Sequence, residues 1–144
     1  MSHPPEKAPV PHPFHSFIVK WVGYDEARPP PRHYTEQMLD YEISASDAAV
    51  LLKEKRARLI DVREPWEFAT AHIAGGVPIP MGDVPSRAHQ ELDPEERLVV
   101  VCHHGVRSMN VTVWLRNQGF EQAQSLRGGI DAWSVEVDPK VVRY

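Results

Sequence analysis

From residue 43 onward the apolar positions follow two rhythms in turn. Ala48, Ala49, Leu51 and Leu52 line one side of a helix that Ser44 or Ser46 caps and that runs through Lys55. Arg58-Leu59-Ile60-Asp61-Val62 reads as a short buried strand, and Pro65 stands where a new helix begins, followed by Trp66 and Phe68. Gly75-Gly76 forces a turn before Val77-Pro78-Ile79-Pro80, and a helix covers part of residues 83–92. Leu98-Val99-Val100-Val101 has the continuous apolar, β-branched character of a strand buried on both faces. Val111, Val113, Trp114 and Leu115 belong to a helix that stops at Gly119. A last strand, Ala123 to Leu126, leads through Gly128-Gly129 to a helical turn at Asp131-Ala132-Trp133. Strands alternating with helices predict an α/β fold, a parallel β-sheet flanked by helices on both faces.

The first part of the chain lacks this regularity. Eight of the 14 prolines precede residue 32, so residues 1–41 read as a Pro- and His-containing N-terminal extension and residues 42–144 as the folded domain with its tail. Within the extension, Phe17-Ile18-Val19-Lys20-Trp21-Val22 has the composition of a short strand ended by Gly23. It is too apolar for a free tail and is expected to pack on the domain or on a partner, which makes the extension a candidate for homodimerisation.

Composition narrows the functional classes. The 144 residues, 25% charged and 42% hydrophobic, suit one soluble domain. A formal charge of -4 gives no bulk attraction for nucleic acid or anionic membranes, so neither is expected as a partner. The sequence has no 18-residue apolar run, and its first residues lack the apolar stretch of a signal peptide, so the expected location is cytoplasmic. One cysteine excludes an internal disulfide and a Cys-rich zinc site. His3, His12, His15 and His33 lie among prolines with no helix to align them, so no metal site and no cofactor is expected.

The chemistry concentrates in Val101-Cys102-His103-His104-Gly105-Val106-Arg107-Ser108. A buried strand delivers Cys102 to the C-terminal edge of the sheet, the edge where open α/β sheets bind ligands. A short glycine-containing loop and a helix start follow. Such a loop turns successive N–H groups inward at a helix N-terminus, and both the amides and the helix dipole favour an anion there. The same setting favours a thiolate at Cys102. Arg107 adds a permanent cation for binding an anion or bracing the loop, and Ser108 is read as a helix cap whose hydroxyl faces the sulfur.

This segment resembles the active-site loop of the rhodanese homology family, in which a strand ends in Cys and the loop reads C-x4-R-S. Other stretches are similar to the same family in the same order. Asp61-Val62-Arg63 with Glu67-Phe68 and His72-Ile73 resembles its D-V-R…E-F…G-H-I signature, with Ala71 in place of the usual glycine. Gly76-Val77-Pro78-Ile79-Pro80 follows. Gly119-Phe120 with Leu126-Arg127-Gly128-Gly129-Ile130-Asp131-Ala132-Trp133 resembles its ending. Asp138-Pro139…Arg143-Tyr144 is similar to rhodanese domains fused to enzymes that activate molybdopterin and thiamine sulfur carriers.

The resemblance implies a sulfurtransferase. Cys102 takes a sulfane sulfur from a small-molecule donor, holds it as a persulfide, and yields it to an external thiol or sulfur-carrier protein. His103, His104, Gly105, Val106, Arg107 and Ser108 form the anion-binding loop. His103 and His104 stand where other members often have permanent cations, which weakens the expectation for a dianionic donor such as thiosulfate and leaves persulfide donors open. Asp61, Arg63 and Glu67 are expected to support the loop as ion pairs rather than as acid and base, and His72 to be a structural hydrogen-bonder. Arg127 either lines the mouth or is merely exposed. Two other readings compete. A phosphatase places five residues between Cys and Arg, where this chain has four. A non-enzymatic binding or sulfur-relay module commonly lacks the cysteine that this chain retains.

Overall fold

The computed structural model describes residues 39–144, so the expected strand at residues 17–22 and the expected dimerisation role of the extension lie outside the described residues. Five strands form one sheet: β1 (Glu42–Ile43), β2 (Arg58–Asp61), β3 (Val77–Pro78), β4 (Leu98–Val101) and β5 (Ala123–Leu126). Their spatial order is β1-β5-β4-β2-β3, and every pairing is parallel. Five helices connect or follow them: α1 (Ala45–Lys53), α2 (Pro65–Thr70), α3 (Val84–Glu91), α4 (Val106–Asn117) and α5 (Gly129–Glu136), with a 3-10 turn at Met81–Asp83 before α3.

The two-residue period of β4 divides the core. Val99 and Val101 pack on one side of the sheet with Ala48 and Leu51 of α1 and with Ile130 and Trp133 of α5. Leu98, Val100 and Cys102 face the other side, with Val84 and Ala88 of α3 and Val111 and Leu115 of α4. All four β4 side chains are buried. Each buried valine or leucine contributes about 1.5–3 kcal/mol, which fixes both helical layers against the strand that carries the cysteine. The expected α/β architecture, a parallel sheet with helices on both faces, is the observed one.

Local boundaries differ from the sequence expectation in four places. Ser44 caps α1 by accepting the Asp47 amide at 3.1 Å, but α1 ends at Lys53 rather than Lys55. Lys55 has φ +57, a left-handed conformation that cannot continue a helix. β2 stops at Asp61, although the Val62 amide still bonds Val101 O at 3.0 Å. The turn expected at Asp131–Trp133 is a two-turn helix, Gly129–Glu136. β1 was not expected, because two residues cannot show a period; it exists through pairing of Glu42 with Ser125 and of Ile43 with Leu126. Among the described residues no helix is long and apolar enough to cross a membrane.

Candidate active site

Cys102 is the residue after β4 and continues its alternation, so its side chain enters the layer beneath α4. The free thiol is 1% exposed. The chain then turns through His103 and His104 to Gly105, which caps α4 with φ +112, a conformation that glycine adopts without steric cost. This turn aims the Gly105 N–H at the sulfur, 3.1 Å from Sγ. The axis of α4 begins at the same point, and the positive end of its dipole favours a negative sulfur.

Two hydroxyls lie behind the thiol. Ser108 Oγ is 3.3 Å from Sγ, and Ser125 Oγ of β5 is 2.7 Å from Ser108 Oγ. Ser108 Oγ is also within 3.2 Å of the Gly105 carbonyl, to which it can donate. A serine has one hydroxyl proton, so the direction of this chain depends on the sulfur. A neutral thiol donates to Ser108, which donates onward. A thiolate accepts from Ser108, which accepts in turn from Ser125. Ser108 therefore lies in the first turn of α4 rather than at its cap, a position filled by Gly105.

The N-terminus of α5 supports the loop from the other side. Ile130 N–H donates to Cys102 O at 2.8 Å, and Asp131 N–H donates to His103 O at 3.2 Å. The approach is close because Gly128 and Gly129 precede these amides with φ +74 and +64. A Cβ on Gly129 would collide with the His103 carbonyl and come within 2.6 Å of Cys102 O. With its carbonyls tied to α5, the loop is free to turn an amide toward the sulfur.

Two ion pairs lie below. Asp61 grips Arg63 through Oδ1 to Nε at 2.9 Å and Oδ2 to Nη2 at 2.7 Å, with both side chains buried. Arg63 also donates to the carbonyls of Ala71 and Glu67, at 2.7 and 3.2 Å, which satisfies a guanidinium that water does not reach. Glu67 clamps Arg107 through both carboxylate oxygens, at 2.7 and 2.9 Å. Arg107's hydrogen bonds hold the Glu67 carboxyl down at about 2, against the opposing effect of burial, and the carboxylate in turn raises the Arg107 guanidinium above its ordinary value. Burial, with His104 beside it, holds His103 below the ordinary imidazole range.

The structure thus brings Asp61, Arg63 and Glu67 beneath the loop that carries Cys102, His103, His104, Gly105, Arg107 and Ser108. Val106 points outward, 73% exposed. Arg127 does not join them: its side chain is exposed, and its carboxylate neighbour is Glu42, 4.0 Å away. His72 donates from Nδ1–H to Phe68 O at 2.9 Å and stacks on the Phe68 ring. Sequence reasoning missed Ser125 and Tyr144. Ser125 gives no local signal, whereas Tyr144 stands in the Asp138-Pro139…Arg143-Tyr144 motif, which by itself assigns it no role.

A model of the rhodanese-like domain matches residues 44–136. The protein named "Putative sulfurtransferase YtwF" of Bacillus subtilis is 44% identical over 82 residues, 57% of this chain and 78% of that protein. Thiosulfate sulfurtransferase GlpE of Vibrio cholerae is 30% identical over 98 residues, 68% of this chain and 90% of that one. Rhodanese-like/PpiC domain-containing protein 12 of Arabidopsis thaliana, a chloroplastic protein, is 41% identical over 91 residues, and the match spans 61% of this chain but only 30% of that protein. Among solved structures, a rhodanese-like domain protein of Staphylococcus aureus superposes with a TM-score of 0.60 at 30% identity, covering 65% of this chain and 91% of its own.

Proposed function

The chain belongs to the rhodanese-like domain family, and from that membership we propose that it is a sulfurtransferase whose Cys102 carries a sulfane sulfur as a persulfide. One observation carries this reading: a buried cysteine at the end of a strand, with a loop amide 3.1 Å from its sulfur and a serine hydroxyl at 3.3 Å, at the start of a helix. That arrangement stabilises a sulfur anion without a general base.

The Cys102 thiolate attacks the outer sulfur of a persulfide donor. The donor's S–S bond breaks, the inner sulfur leaves as a thiolate with the electron pair, and the outer sulfur becomes the terminal atom of the Cys102 persulfide. With no second cysteine in the chain, an external thiol or sulfur-carrier protein removes that sulfur. A cytoplasmic setting is part of the same proposal.

Charge pairing favours a persulfide donor, of low molecular weight or protein-bound, over thiosulfate. Arg107 is committed to Glu67, Arg63 to Asp61 and Arg143 to Asp131. His103 is biased toward its neutral form. A dianion therefore meets no unpaired arginine among these residues. The test is a donor panel of thiosulfate, glutathione persulfide, mercaptopyruvate and an aryl phosphate, with wild type and Cys102→Ser. Sulfur transfer from the persulfide that disappears in Cys102→Ser supports the reading. Undiminished transfer in that variant overturns it, and Cys102-dependent phosphate hydrolysis replaces it with the phosphatase reading.

A further inference from the structure

Tyr144 lies 77 residues from Glu67 in sequence, yet its hydroxyl donates to Glu67 Oε1 at 2.9 Å. The same oxygen accepts from Arg107 Nη2 at 2.9 Å. The Tyr144 hydroxyl also accepts from Arg63 Nη1 at 2.9 Å, so one phenol links the two ion pairs beneath the loop. Its ring stacks on His103, the residue after the cysteine, with centroids 4.1 Å apart and planes 13° from parallel. His103 stacks on His104 as well, at 3.9 Å.

The segment after α5 is built to deliver this side chain. Val141 is buried against the core, and its carbonyl accepts from Ser134 Oγ at 2.6 Å. Arg143 grips the Asp131 carboxylate at 2.7 and 3.2 Å. Asp131 is also the residue whose amide holds His103 O. The loop is thereby fixed at His103 by a stacked ring and a backbone amide, and at Arg107 by a carboxylate that Tyr144 steadies.

We propose that Tyr144 is a positioning residue for sulfur transfer. Its hydroxyl fixes the Glu67 carboxylate against Arg107, and its ring fixes His103, so the loop between them keeps the shape that presents the Gly105 amide to the sulfur. The proposal rests on the reading of Cys102 as the sulfur-carrying nucleophile.

Wild type, Tyr144→Phe and Tyr144→Ala separate the two contacts. Three measurements apply to each: the rate at which intact mass gains one sulfur atom from glutathione persulfide, over a range of donor concentrations; the rate of Cys102 alkylation by iodoacetamide; and the His103 ring proton shifts. Tyr144→Phe keeps the ring over His103 and its shifts, but lowers the limiting loading rate per folded molecule about tenfold, the scale of one lost hydrogen bond to a charged group. Half-saturation by donor stays as in wild type. Tyr144→Ala loses the ring-current shift of His103, loads more slowly than Tyr144→Phe, and changes the alkylation rate. A tyrosine that serves stability alone would lower the melting temperature and the folded fraction while leaving the limiting rate per folded molecule unchanged, and that result overturns the proposal. If wild type gains no sulfur, the sulfurtransferase reading fails separately; alkylation then decides, and equal rates in all three proteins overturn the positioning role.

Discussion

Glu67 and Arg107 are 40 residues apart in sequence and meet through two hydrogen bonds of 2.7 and 2.9 Å. The pair joins the helix after β2 to the helix that starts at the Cys102 loop. Its carboxylate is nearly buried and its guanidinium one-third exposed, so water screens the interaction from one side only.

That pair makes stability depend on pH in a defined window. The folded carboxyl titrates at about 2, below its ordinary 4.5. A depressed value contributes stability that is complete above the ordinary value and is lost as pH falls through the folded one. The contribution is about 3 kcal/mol at most, given the partial exposure of Arg107. Urea denaturation of wild type and Glu67→Gln is expected to show a difference that is constant near neutral pH and shrinks as pH falls from about 4.5 toward 2. A difference that does not change with pH contradicts this account.

Arg107→Ala leaves the Glu67 carboxylate buried without its main partner and frees the start of α4. Loading of Cys102 is expected to slow by about 1–3 kcal/mol of activation, the cost of an unpaired buried group. Arg107→Lys is expected to recover only part, because an ammonium cannot reproduce the two-pronged contact with Oε1 and Oε2. Single-turnover loading followed by intact mass measures both. Equal rates and equal persulfide lifetimes in all three proteins would make Arg107 a surface residue.

Gly129→Ala and Gly119→Ala form a matched pair. Both glycines have positive φ, +64 and +99, so each substitution carries the strain of a left-handed residue. Only at Gly129 does the added Cβ meet backbone, that of Cys102 and His103; at Gly119 none of the described residues it could strike lies within 4 Å. Gly119→Ala is expected to cost about 1–2 kcal/mol. Gly129→Ala is expected to cost more than that and to abolish loading, because the Cys102–His103 peptide must move. Thermal denaturation and the loading assay check the two parts, and equal destabilisation would deny the collision.

Thr112 is fully buried on the inner face of α4, and its hydroxyl has no hydrogen-bond partner among the described residues. Thr112→Val removes an unsatisfied polar group at almost constant volume. It is expected to raise stability by about 1 kcal/mol, read as a higher midpoint in urea with an unchanged slope. A lower midpoint would mean that the hydroxyl is paired.

The sequence by itself determined most of the elements and singled out the loop proposed to carry the chemistry. Leu98-Val99-Val100-Val101 carried the pattern of a buried strand, Pro65 opened a helix, and Gly105 after Cys102 marked the turn at the strand's end, because each signal is written in neighbouring residues. Several different motifs in order carried the family assignment for the same reason. Tertiary structure alone decided which charges pair. Arg63 chose Asp61 two residues away, Glu67 chose Arg107, and Arg127 was left facing Glu42 at the surface. It also decided that Ser125, on a neighbouring strand, backs Ser108, and that Tyr144 closes over His103. The short strand β1 belongs to the same class, since two residues become a strand only when β5 lies alongside. Periodicity and turn chemistry act over a few residues. Partners 17 to 85 residues apart are chosen by packing, where burying a charge or hydroxyl without a partner costs more than a local preference can offset.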